Sequence, residues 1–162
     1  MNILVNLSDM KTSSDTKAVL IAHSLGSCIG IVMYDPVIQT GGILHFMFPS
    51  SKLSPVKAQN NPYMFADTGI AKFLETMYQL GAKRENLKIA VAGAAEIMGQ
   101  TDFLNIGKRN HIATKTILKQ HNLKIDYEDT GKNTNRTLRL DIKKGLLYIT
   151  ITGQEEKKIC MK

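Results

Sequence analysis

The apolar residues of this 162-residue chain come in short runs separated by turn residues, which directs the chain toward a β-rich core. The first four runs are Ile3–Leu7, Ala18–Leu25, Ile29–Tyr34 and Gly42–Phe48, rich in Ile, Val, Leu and Phe and too short for core helices. Each is expected to be a strand. Further on, Leu87–Ala92 reads as a buried strand running into the small residues Gly93-Ala94-Ala95, which imply close packing. Thr137–Ile142 alternates, with Leu138, Leu140 and Ile142 on one face, and Lys143-Lys144-Gly145 links it as a tight hairpin to β-branched Leu146–Thr152.

Two segments carry helical spacing. Asn61-Pro62 offers an N-cap with proline at the first helical position, and Ala66, Ile70, Phe73, Leu74 and Met77 then form one apolar stripe that ends at Gly81. A second helix is expected over about 108–121, with Ala113 and Ile117 facing inward and Asn122 as a left-handed cap. Ser50–Asn61 and Asp129–Arg136 read as surface loops. The expected fold class is α+β: a single-domain layered sandwich over 1–162, with a mixed β core and at least two packed helices. A chain that is 43% hydrophobic has enough apolar surface for one such core.

Composition narrows the function classes. No run approaches the roughly 18 apolar residues of a membrane span, and the N-terminus lacks the basic and apolar regions of a secretory signal, so membrane insertion is not expected and a cytoplasmic address is. Two cysteines, Cys28 and Cys160, make neither a disulfide framework nor a zinc quartet. His111 and His121 lack a metal-ligand spacing, so no metal or other cofactor is expected. The net charge of +7 arises wholly within 105–162, where thirteen basic residues face six acidic ones. With no RNP-type aromatic motif, helix-turn-helix or zinc spacing, that bias reads as a solvated face, and nucleic acid is not an expected partner.

The chemically distinctive segment is Ser24-Leu25-Gly26-Ser27-Cys28, followed two strands later by His45-Phe46-Met47-Phe48-Pro49. If Ile29–Tyr34 and Gly42–Phe48 form a hairpin with its loop centred near Pro36-Val37, Cys28 lies opposite His45 on one face, whereas a later loop moves that partner. A Cys–His contact matters because the thiolate is the nucleophile and an unperturbed thiol is little ionised at neutral pH. An imidazole both activates the thiol and later protonates a departing amine, as amide cleavage requires. Gly26 and Ser27 would supply the tight backbone that exposes Cys28. Taken alone, a cysteine in an apolar strand is more often a small buried hydrophobe, and a histidine beside Ile43 and Phe46 a hydrogen-bonded core residue.

The longer pattern changes that balance. Leu25-Gly26-Ser27-Cys28-Ile29-Gly30, Tyr34-Asp35-Pro36 and Gly41-Gly42-Ile43-Leu44-His45-Phe46-Met47-Phe48-Pro49 resemble the signature of the chemoreceptor glutamine deamidases, the CheD family. The resemblance continues through Tyr63 and Asp67, Gly81-Ala82 and Ile106-Gly107-Lys108-Arg109-Asn110, and covers about residues 20–150. It implies a bacterial chemotaxis enzyme that converts glutamine side chains of receptor cytoplasmic helices to glutamate with release of ammonia. Cys28 would then be the nucleophile and His45 the general acid and base, through a tetrahedral intermediate and a thioester. Backbone N–H groups near Cys28 would serve the oxyanion. Asn110, with Arg109, would support a substrate-facing loop, or else cap the second helix. The resemblance also implies a partner, a chemotaxis phosphatase of the CheC/CheX type, and binding without strong catalysis is the alternative reading. Two positions depart from the family: Ala22 stands where it usually has a threonine that completes a Cys-His-Thr arrangement, and Asp129-Thr130-Gly131-Lys132 where it tends to have a glycine pair. Cys160, near the end of a lysine-rich segment, is assigned no role.

Overall fold

Three layers follow from how the strands expose their two faces. The computed structural model describes residues 1–96 and 105–162. One five-stranded sheet runs in the order β1 (Asn2–Leu4), β3 (Val19–Leu25), β8 (Arg136–Asp141), β9 (Leu146–Ile151) and β10 (Lys157–Cys160). The other runs β2 (Asp9–Ser13), β5 (Thr40–Phe46), β4 (Ile29–Asp35), β6 (Lys88–Gly93) and β7 (Tyr127–Thr130). Both sheets are mixed, with the β1–β3 and β6–β7 pairs parallel.

In the second sheet every residue of β4 and β5 is buried, because both faces are covered. Val32, Tyr34, Ile43, Ala90 and Ala92 meet Leu20, Ala22, Leu138, Leu140 and Ile149 of the first sheet. On the other face Ile29, Ile31, Met33, Leu44 and Phe46 meet Ile70, Phe73, Leu74 and Met77 of the helix α2 (Ala66–Gln79). The helix α3 (Ile106–Gln120) adds Leu118 to that layer, with Ala113 and Ile117 half-buried against it. The α+β layered class read from the sequence is the one observed.

Several local readings need correction. Asn61 caps a 3-10 turn, Pro62–Met64, by accepting from the Tyr63 N–H at 3.0 Å, and α2 begins only at Ala66, whose N–H donates to the Phe48 carbonyl. Ser50–Asn61 is not irregular, since it contains the short helix α1 (Pro55–Asn60). Asp129–Arg136 is a surface loop only over 131–135: its ends lie in β7 and β8, and Arg136 is 1% exposed because Asp129 pairs with it at 3.0 Å. Ile3–Leu7 is strand only as far as Leu4. Asn122 does adopt the left-handed conformation after α3, with φ 55°.

Candidate active site

Cys28 and His45 meet, although not by the pairing expected. Asp35 pairs with Thr40, so the β4–β5 loop is centred on Val37-Ile38, and His45 lies opposite Gly30. Moving a pairing by two residues preserves the face, so Cys28, two residues before Gly30, reaches His45 along the diagonal. The Cys28 Sγ to His45 Nε2 distance is 3.0 Å. The imidazole faces the space between the sheets and is 3% exposed.

The cleft beside this pair holds about 250 Å³ and is bounded by Val5, Leu7, His23 and Ser24. The register of β3 against β8 slips between Ala22 and Leu25, and within the slip Ser24 takes a left-handed φ of 55°. A bulge of this kind re-aims side chains at a sheet end, here lining the cleft with His23 and Ser24. Nothing in the local sequence marks it. The small-residue run after β6 is a signal that the structure explains: Gly93, at φ 116°, passes so close to the Cys28 carbonyl that a Cβ would overlap its oxygen.

Burial raises the Cys28 thiol above its ordinary 9.0, against the N–H groups of Gly26 and Cys28, which lower it. Burial also lowers His45 below its ordinary 6.5, outweighing the Val5 carbonyl and the Asp9 carboxylate, which raise it. Both shifts disfavour a thiolate–imidazolium pair. The resting pair is therefore a neutral thiol donating to Nε2, with the ring proton on Nδ1. Nδ1 is buried and, among the described residues, meets no partner at good hydrogen-bond geometry; the Val5 carbonyl lies near enough to the ring to favour its protonated form. Ala22, fully buried on the face of β3 that meets β5, offers no hydroxyl there.

Gly26 and Ser27 form the half-buried turn into Cys28. Asn110 is neither a cap nor cleft-lining: it lies inside α3, 0% exposed, and its Nδ2 donates to the Ser27 carbonyl at 3.0 Å and the Met47 carbonyl at 2.9 Å. The site thus collects Cys28, His45, Gly26, Ser27 and Asn110 from three separate stretches of chain. His111 instead pairs with Glu128 at 2.9 Å, and Cys160 is exposed on β10. Among the described residues, no cluster of His, Cys, Asp and Glu could hold a metal ion, and no helix is long and apolar enough to cross a membrane.

The family model for CheD chemotactic sensory transduction matches residues 47–151. The chain is 40% identical over 152 residues to the probable chemoreceptor glutamine deamidase CheD 1 of Syntrophus aciditrophicus, covering 94% of this chain and 95% of that one. It is 38% identical over 157 residues to the probable chemoreceptor glutamine deamidase CheD of Solibacter usitatus, covering 97% and 93%. A similarly named protein of Caldanaerobacter subterraneus is 37% identical over 96% of both chains. Matches this long, over a chain whose most distinctive residues converge on one cleft, make it a member of the CheD family.

Proposed function

We propose that this chain is a chemoreceptor glutamine deamidase, acting on cytoplasmic receptor helices as one domain with no cofactor. The observation that carries the reading is the 3.0 Å contact between Cys28 Sγ and His45 Nε2 at an open cleft. Nε2 takes the thiol proton as sulfur attacks the glutamine carboxamide carbon. Carbon–nitrogen cleavage then follows, with the imidazolium protonating the leaving nitrogen, so that ammonia departs and a thioester remains. Water, deprotonated by the regenerated Nε2, attacks the thioester, and cleavage of the carbon–sulfur bond yields glutamate and the thiol. Gly26 and Ser27 shape the turn that presents Cys28.

One observation favours the adaptor reading, in which the chain mainly binds receptors and a phosphatase of the CheC/CheX type: among the described residues no side chain pairs with His45 Nδ1 to hold the imidazole in its working tautomer, and only the Val5 carbonyl bears on the ring from the backbone. Mass spectrometry of glutamine-containing receptor cytoplasmic fragments separates the two. Conversion of specific amides to acids by the wild type, lost in Cys28→Ala with the fold retained, is expected. No conversion by the wild type, or conversion retained in Cys28→Ala, overturns the thiol mechanism.

A further inference from the structure

Three consecutive carbonyls around the nucleophile are held from behind. Gly26 O accepts from the Ala95 N–H at 2.9 Å, Ser27 O from Asn110 Nδ2 at 3.0 Å, and Cys28 O from the Ala94 N–H at 2.9 Å. By contrast, no oxygen among the described residues accepts from the N–H groups of Gly26, Ser27 or Cys28. The N–H groups of Gly26 and Cys28 bear on the Cys28 sulfur instead, which puts both donors on the side where an adduct on Sγ forms.

The Asn110 contact differs from the other two, being made by a side chain on a separate helix. It falls on the carbonyl of the Ser27–Cys28 peptide. That peptide is trans, so its N–H points opposite to its C=O, away from Asn110, and it bears on the Cys28 sulfur, which lines the cleft. The second Asn110 proton is spent on the Met47 carbonyl, two residues beyond His45. Asn110 therefore has no Nδ2 donor left for substrate, and its position is fixed from both sides.

We propose that Asn110 is a positioning residue that holds the Ser27–Cys28 peptide with its N–H turned into the cleft, where that N–H receives the oxyanion of the tetrahedral adduct on Cys28. The inference rests on the deamidase reading and assigns its oxyanion donor. A donor at the carbonyl also polarises the peptide and strengthens its N–H. The Gly26 N–H is the second candidate donor, since it and the Cys28 N–H both act on Sγ. Donors fixed before the reaction cost no reorganisation when charge develops, and removing one typically costs about 100-fold or more in rate.

The test separates attack on a carbonyl from attack on an alkyl carbon. A receptor-derived peptide carrying glutamate semialdehyde at the target position adds to Cys28: a sulfur–carbon bond forms, the carbonyl π pair moves to oxygen, and oxygen takes the thiol proton through His45. Iodoacetamide alkylates the same sulfur by displacing iodide and creates no oxyanion. In Asn110→Asp and in the apolar Asn110→Leu, aldehyde affinity is expected to fall at least about tenfold and kcat for deamidation about 100-fold. KM and the alkylation rate should stay within about threefold of wild type. Unchanged aldehyde affinity, or alkylation falling in parallel with it, overturns the proposal. In the wild type, the aldehyde should protect Cys28 from alkylation far better than the matching alcohol; equal protection also overturns the proposal, even if both variants fail to fold. Aldehyde binding without deamidation by the wild type would remove the enzymatic reading while leaving the oxyanion site in place.

Discussion

Cys28 reaches His45 across a diagonal of the β4–β5 pairing, 3.0 Å from Sγ to Nε2, because the residue directly opposite the imidazole is Gly30. Gly30 puts no side chain between the two, and a Cβ there would come within 2.6 Å of Leu138 Cδ1. The contact between Cys28 and His45 and the packing of the two sheets thus depend on the same absent side chain.

The charge state of this pair predicts how Cys28 reacts with pH. The thiol is held above 9.0 by burial, so thiolate accumulates only beyond that value. The alkylation rate of Cys28 is expected to keep rising through pH 9.0, with no plateau on the acid side. A plateau below pH 7 would signal a preformed ion pair and contradict the neutral resting state. Deamidation should lose its acid limb only below 6.5, where His45 protonates and can no longer take the thiol proton. Stability follows with a definite sign. The unfolded chain binds this proton more readily, so burying His45 costs stability as pH falls below the unfolded value of 6.5 and on through the lower folded value.

Ala22→Thr probes the unpartnered Nδ1. A hydroxyl on this face of β3 would supply the acceptor that the ring lacks, and one added hydrogen bond of about 1.4 kcal/mol in the transition state corresponds to about tenfold in kcat. The larger side chain enters a fully buried position, so a loss of about 1 kcal/mol in stability is expected alongside. Steady-state deamidation and thermal melting together read both effects. An unchanged kcat would mean that packing alone already orients the imidazole.

Legibility from sequence followed burial. The central strands β3, β4, β5, β6, β8 and β9 announce themselves because covered faces demand apolar residues, and the parity of Cys28 and His45 survives even a misplaced loop centre. β2, β7 and β10, reading DMKTS, YEDT and KKIC, lie at sheet edges, where charged residues guard against further pairing and mask the strand pattern. Asn110 was legible only as a helix-start residue, since a sequence does not show that a polar side chain will be sealed between two carbonyls from distant segments. Arg136 and Asp129 were misread for the same reason: charge in a turn-rich stretch reads as exposure until the partner is seen.

Gly93→Ala should disable the site without touching either reactive side chain. Gly93 has φ 116°, a conformation that L residues avoid, and its Cβ would overlap the Cys28 carbonyl oxygen. Displacing that backbone moves Sγ away from His45, and misplacement by about 1 Å is enough for a loss of about 100-fold in deamidation. Gly131→Ala is the control: φ is 78°, but nothing lies within 4 Å of its Cβ, so only the backbone strain of about 1 kcal/mol applies. Equal activity losses in the two variants would contradict the close approach at Gly93.

Asp129→Ala should destabilise the fold where the two sheets meet behind Cys28. Arg136 Nε donates to Asp129 Oδ1 at 3.0 Å, its Nη1 to the Gly93 carbonyl at 3.2 Å and its Nη2 to the Gly131 carbonyl at 2.9 Å. Lys157 Nζ reaches Asp129 Oδ2 at 2.6 Å from β10. Removing the carboxylate strands a guanidinium with no exposed side-chain surface, a change that typically costs about 3–5 kcal/mol, or about 10 °C in melting temperature for a chain of this size. Burial pushes the Asp129 carboxyl up, but Lys157 and Arg136 prevail and hold it below its ordinary 3.8. Its contribution is therefore present in full well above pH 3.8 and is lost as pH falls through the lower folded value. Melting curves of the wild type should drop toward those of Asp129→Ala on acidification. A gap between them that persists below the folded value would show that Asp129 acts through packing and not through its charge.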